Sequence, residues 1–173
     1  MRFTFKGGVH PPSNKNLTKD CKIKNLAPPQ TVIIPLRQHI GAILDPVVNV
    51  GDYVKKGQVI GKSDAFVSTP VHASVSGTVR KIEGYYHPSR GKTPAIIIAN
   101  DGKEEWADNI KPIGDFKKLT AKEIIDAVRN AGIVGMGEAA FPTHVKLSPP
   151  PEKKIDYIIV NAAECEPYLT SHY

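Results

Sequence analysis

Apolar and polar positions change rhythm along the chain. From Met1 to Gln30 polar and lysine residues are broken by Pro11, Pro12, Pro28 and Pro29. Proline fixes φ and lacks an N–H, so helix is disfavoured and an extended arm lying along another surface is predicted. From Thr31 to Asp101 short β-branched runs follow one another: TVIIPL, VVNV, QVIG, VSTPV, SGTVRKI and PAIIIAN, separated by Gly, Pro, Asn and Asp. Six short strands so closely spaced predict a compact barrel or sandwich. After a charged connector around Trp106 the spacing turns helical. Thr120 and Glu123 predict a capping box, Leu119 and Ile124 a hydrophobic staple, and Ile124, Ile125, Val128 and Ala131 one apolar face ended by Gly132. SPPPEKK then reads as a stiff link, and DYIIVN as a buried strand ending at Asn161.

Composition narrows the function classes. The 173 residues suffice for one ordinary domain or two small ones. The net charge of +6 is scattered, with no basic run of five and no aromatic-glycine signature of an RNA-binding sheet, so no nucleic-acid partner is expected. Cys21 and Cys165 form no C-x-x-C pair, so neither zinc nor an iron-sulfur cluster is expected here, and a reducing compartment is the simpler reading. No apolar run reaches the roughly 18 residues that span a bilayer, and Met1 to Lys6 opens no signal-peptide core. A cytoplasmic chain without a transmembrane segment is predicted. His10, His39, His72, His87, His144 and His172 show no paired ligand spacing and read as hydrogen-bonding or surface residues. With no G-x-S-x-G elbow either, no catalytic residue and no metal ligand is assigned.

Two constellations remain. GDYVKKGQVIG (Gly51 to Gly61) and TPVHASVSGTVRKIEG (Thr69 to Gly84) resemble the barrel-sandwich hybrid of biotinyl and lipoyl carriers. Lys62 lies beside the preceding strand and outside either flanking pattern, which favours a structural barrel over a swinging-arm carrier. The second constellation is GIVGMGEAAFPTHVKL (Gly132 to Leu147) with NAAECEPYLT (Asn161 to Thr170). Gly135 and Gly137 let backbone N–H groups approach a ligand, and Lys146 supplies a point charge for a phosphate or an electron-rich ring. Asn161 at a strand end offers an amide donor and acceptor, and Glu164 and Glu166 a carboxylate pair. Each piece alone also has an ordinary reading, as a helix-ending turn or a solvated loop.

Taken jointly, these stretches resemble the RnfC family, a component of the Rnf ion-translocating ferredoxin:NAD oxidoreductases, and more distantly the flavin subunit of respiratory complex I. FKGGVHPP, PLRQHIGA, GDYVKKGQVIG and FVSTPVHASVSGTV occur in the same order as in that family's amino-terminal region. The resemblance implies a mixed α+β fold: an arm over 1–30, a barrel-sandwich hybrid over 31–101, a connector over 102–118, and over 119–173 an incomplete α/β flavin/NADH-binding domain. It implies electron transfer between NADH and ferredoxin through FMN and iron-sulfur clusters, coupled to ion translocation. Gly135, Gly137, Lys146, Asn161, Glu164 and Glu166 map onto the FMN and NADH neighbourhood. The 4Fe-4S clusters are expected only downstream of Tyr173, and the implied partners are the other Rnf subunits and, through them, ferredoxin. The implied location is the cytoplasmic face of the cell membrane, held peripherally. Glu138 stands where the family usually has glycine, and Ala163 where the flavin subunit of complex I has aspartate. By the same resemblance the chain reads as an amino-terminal fragment, inactive alone and holding FMN weakly or not at all, with DYIIVN an edge in need of neighbours. The alternatives are a cobalamin reductase-like flavoprotein of propanediol utilisation and a non-enzymatic docking module of a membrane complex.

Overall fold

The computed structural model describes residues 7, 9, 11–87, 91–137, 139–160, 164 and 166–170. Two compact units are present, Ala27–Lys153 and a smaller one of Met1–Leu26 with Lys154–Tyr173.

The larger unit is built on two antiparallel sheets. β1 (Thr31–Pro35), β3 (Tyr53–Val54), β6 (Gly77–His87) and β7 (Gly91–Asn100) form one, in the order β1-β7-β6-β3. β2 (Asp45–Pro46), β4 (Val59–Lys62) and β5 (Val71–His72) form the other, in the order β2-β4-β5. Alternation places Ile34, Ile96 and Ile98 of the first sheet and Ile60 and Val71 of the second in a single core, joined by Leu36, Leu44 and Val48 from the connecting loops. This is the expected barrel-sandwich hybrid.

The strands depart from their predicted limits where turn chemistry outweighs β-branching. VVNV is not a strand: Asn49 N–H donates to Asp52 Oδ2 at 2.7 Å and Asp52 N–H to the Asn49 carbonyl at 3.1 Å, closing a turn. VSTPV yields only Val71–His72, because the chain before it loops and Pro70 has no N–H to offer a ladder. The DYIIV part of DYIIVN is neither a strand nor buried, its last residue, Asn161, lying outside the described residues. Among the described residues nothing pairs with it, and Ile158 and Ile159 stand 87% and 90% exposed. A strand without a ladder partner leaves its backbone to water.

The connector is stitched to the barrel. Lys56 N–H donates to the Glu105 carbonyl at 2.8 Å and Ala107 N–H to the Lys56 carbonyl at 2.9 Å, while the Lys56 ammonium lies 5.0 Å from the Trp106 ring centre and pairs with Glu104. Beside it Tyr53 Oη donates to Asp101 at 2.8 Å and to Glu105 at 3.1 Å. The Lys103 N–H and then the Ser76 hydroxyl hold Asp101 below the usual carboxylate range, and Lys55 and then Tyr53 do the same for Glu105. Donation to Asp101 first of all pushes Tyr53 up from 10.0 to about 12.

These shifts fix a pH window for the clasp. Depressed carboxylates contribute above their ordinary pKa and lose that contribution as pH falls through their folded values. A raised tyrosine contributes fully below pH 10 and loses it as pH climbs through about 12. Tyr53→Phe is therefore expected to flatten both limbs of the melting temperature against pH, scanned from about pH 3 to about pH 11. Superimposable wild-type and variant profiles would contradict the clasp.

α1 (Ala121–Asn130) begins as the sequence requires. Thr120 Oγ1 accepts from Glu123 N–H at 3.3 Å, and Glu123 Oε2 accepts from Thr120 N–H at 2.7 Å. Ile124, Ile125 and Val128 are half-buried, whereas Ala131 is exposed.

In the smaller unit the described residues of the arm are irregular apart from one 3-10 turn at Lys15–Leu17. Lys15 Nζ donates to the carbonyls of Glu166 at 3.2 Å and Leu169 at 2.6 Å, and Tyr168 N–H donates to the Ser13 carbonyl at 2.8 Å. Among the described residues no helix is long and apolar enough to cross a membrane.

Candidate functional site

The glycine-rich stretch starts where α1 ends. Ile133 N–H reaches back to the Val128 carbonyl at 3.2 Å and Gly132 N–H to the Arg129 carbonyl at 2.9 Å, the two bonds of a Schellman motif. Gly132 has φ +71°, and a Cβ there would stand 2.7 Å from the Pro70 carbonyl, so both conformation and packing against the barrel demand glycine.

Beyond it the chain makes a pinched loop. Thr143 N–H to the Ile133 carbonyl (3.1 Å) and Gly135 N–H to the Phe141 carbonyl (2.8 Å) close its neck, and Val134 bridges to Pro142. Met136 at the tip is 99% exposed. The Gly135 N–H itself is thus spent within the loop, on the Phe141 carbonyl. What Gly135 supplies is room, since a Cβ on it would lie 2.8 Å from Lys146 Nζ. Gly137 differs. It has no positive φ, and a Cβ on it would meet nothing within 4 Å, so the fold itself gives no reason for glycine there.

Lys146 closes the short helix α2 (Thr143–Lys146). Its ammonium folds back over Gly135, 6.0 Å from the Phe141 ring centre, with no ion pair among the described residues. Two residues earlier His144 is buried, and its Nε2–H donates to the Phe66 carbonyl at 2.9 Å while the two rings meet edge to face at 5.9 Å. Arg129 donates to the Ala65 carbonyl at 2.9 Å, and Ile40 N–H to the Ala139 carbonyl at 2.9 Å. On the barrel side buried His39, with its proton on Nδ1, donates to the Ile40 carbonyl at 2.9 Å and accepts at Nε2 from Thr69 N–H at 3.2 Å. The barrel loops at 38–42 and 63–70 therefore hold the glycine loop in place. Pattern reading missed His144, Phe141 and Arg129 as parts of this joint; the signal available was the Pro-Thr-His-Val-Lys order, which puts buried His144 and charged Lys146 two positions apart on one turn.

The predicted residues divide between the two units. Gly135, Gly137 and Lys146 come together in the larger one. Glu164 and Glu166 belong to the smaller, where Lys15 Nζ lies 4.0 Å from Glu164 Oε2 and grips the Glu166 carbonyl. Asn161, with Glu138 and Ala163, lies outside the described residues. Lys62 lines a cleft of about 920 Å³ between the barrel, the connector and α1, together with His72, Lys111, Asp126 and Arg129. Burial holds the His72 pKa below its usual value there, against a smaller opposing effect of its backbone hydrogen bond at Asn130. That cleft contains none of Gly135, Gly137 and Lys146. Among the described residues no group of three or more His, Cys, Asp and Glu could hold a metal ion.

Comparison with known proteins agrees with both halves. A family model for the RnfC barrel sandwich hybrid domain matches residues 3–103, and one for the Nuo51 FMN-binding domain matches residues 128–173. The chain is 55% identical over 173 residues to the C subunit of the proton-translocating ferredoxin:NAD(+) oxidoreductase complex of Clostridium ljungdahlii, covering 100% of this chain and 38% of that protein. It is 48% identical over 170 residues to the Na(+)-translocating counterpart of Acetobacterium woodii, covering 98% and 38%. It is 43% identical over 169 residues to the C subunit of the ion-translocating oxidoreductase complex of Pseudomonas aeruginosa, covering 96% and 22%. The chain thus spans well under half the length of these relatives, and over that span it belongs to the RnfC family, joining the barrel sandwich hybrid domain to the beginning of an FMN-binding domain.

Proposed function

We propose that this chain forms the flavin-side entrance of a subunit that passes electrons between NADH and ferredoxin within an ion-translocating complex. In this reading the subunit lies peripherally on the cytoplasmic face of the membrane, and its iron-sulfur clusters are carried elsewhere in the whole subunit. The observation that carries it is the Lys146 ammonium, without an ion pair among the described residues, folded over Gly135 two residues before Gly137, whose Cβ position meets nothing within 4 Å. A flat anionic group fits that combination, because it gains from the charge and needs the bare backbone.

The chemistry that FMN would supply there is hydride exchange with a nicotinamide and release of single electrons. The protein binds, orients and sets charge. Lys146 would face a phosphate or the electron-rich edge of the ring and favour negative charge there. Gly137 would admit the close approach, and His144 and Arg129 would keep the loop still against the barrel. Asn161, Glu164 and Glu166 would provide polar and acidic contacts on the nicotinamide side.

The whole subunit, purified with FMN, is expected to be yellow, with flavin fluorescence quenched when NADH is added; a colourless protein would refute the reading. Gly135→Ala separates this role from folding. A Cβ at position 135 displaces only the far end of the Lys146 side chain, so stability should change by about 0.5 kcal/mol or less. FMN affinity should fall by about threefold to tenfold as the ammonium moves. Unchanged affinity with a displaced Lys146 would contradict the role given to that residue.

A further inference from the structure

Among the described residues β6 is the longest strand, and little covers its outer edge. β3 pairs only with Gly77 and Thr78, and the last backbone bonds along that side are those of Val79 with Gly51 and Asp52. From Arg80 to Tyr86 no strand flanks the outer side among the described residues, while the inner side is paired with β7 in register down to His87↔Gly91. Seven residues of open edge run about 23 Å. An edge of that length is a template for another strand unless the protein guards it.

The side chains along the edge indicate what it accepts. Arg80 and Lys81 are exposed, Glu83 makes only an exposed 3.5 Å contact with Lys81, and Lys92 from β7 lays its stem across Gly84. Tyr85 and Tyr86, on opposite faces, are 44% and 81% exposed. Tyrosine exposed to this degree beside cations is typical of interface anchors. The excess of positive charge resists a second copy of the same edge and suits an acidic strand.

We propose that the β6 edge from Arg80 to Tyr86 receives an extended, acidic segment of another protein subunit by strand addition. Main-chain hydrogen bonds would supply affinity, and Arg80, Lys81 and Lys92 the preference for acidic side chains. The inference rests on the reading of the chain as a subunit of a membrane complex, but its test fails separately. A subunit that joins no complex defeats that reading, whereas one that joins a complex with β6 unprotected defeats only this inference.

The test is amide hydrogen exchange on the whole subunit, alone and within the purified complex. Amides of 80–86 are expected to exchange at least about tenfold more slowly in the complex. Equal rates would overturn the proposal, and so would protection produced by phosphatidylglycerol vesicles without partner subunits, which would mark a lipid contact. The double variant R80E/K81E should lower by about twofold the salt concentration at which the subunit leaves the complex, with its flavin content unchanged. Release at the wild-type salt concentration would count against the proposal. Cross-linking of Tyr86→Cys within the complex should land on an acidic segment of a partner; a link to a basic segment would overturn it.

Discussion

Lys146→Met in the whole subunit is expected to weaken FMN binding by about tenfold to a hundredfold, the worth of one charge-assisted contact, while the melting temperature stays put. Methionine keeps the length and apolar stem of the side chain, so the packing of α2 survives and only the ammonium over Gly135 is lost. The charge makes no ion pair among the described residues, so removing it orphans no carboxylate there. Lys146→Arg should recover part of the affinity, since the charge returns on a bulkier, planar head that the bare Gly135 surface admits less well. Flavin fluorescence titration reads both variants. Wild-type affinity for Lys146→Met would remove Lys146 from the site.

His144→Ala is expected to act on stability and on binding together. It deletes a buried ring, leaves the Phe66 carbonyl without its 2.9 Å donor, and removes the edge-to-face contact with Phe66. A cavity and an orphaned acceptor together should cost about 3 kcal/mol in denaturant unfolding. FMN affinity should fall as well, because the loop of Gly135 and Gly137 hangs on the turn that His144 fastens to the barrel. His144→Gln restores a donor of similar reach and should return part of the stability. A loss below about 1 kcal/mol for His144→Ala would show that the joint is held elsewhere, by Arg129 or Ile40.

Much of this architecture was legible where local chemistry decides the outcome. The capping box of Thr120 and Glu123 and the end of α1 at Gly132 follow from hydrogen-bonding rules that act within a few residues, and the runs forming β1, β4, β6 and β7 from β-branched side chains set between turn residues. VVNV failed because the Asn49 and Asp52 turn was stronger than the β preference of three valines. DYIIVN failed for a longer-range reason: an apolar run forms a strand only when another strand presents a ladder, and none does so among the described residues. Within the candidate site, glycine spacing and Lys146 were readable. That the Gly135 N–H is committed to Phe141, six positions on, and that the hydrogen bond of His144 reaches Phe66 across 78 positions of sequence depend on how the loop folds onto itself and onto the barrel. No periodicity encodes such a pair.

The most direct measurement is amide exchange of the whole subunit with and without FMN. Bound flavin should slow exchange across 133–147, centred on Gly137, and leave the core strands β4 and β7 as they were. Protection confined to the cleft around Lys62 and His72, or absent from 133–147, would contradict a flavin site built on the glycine loop.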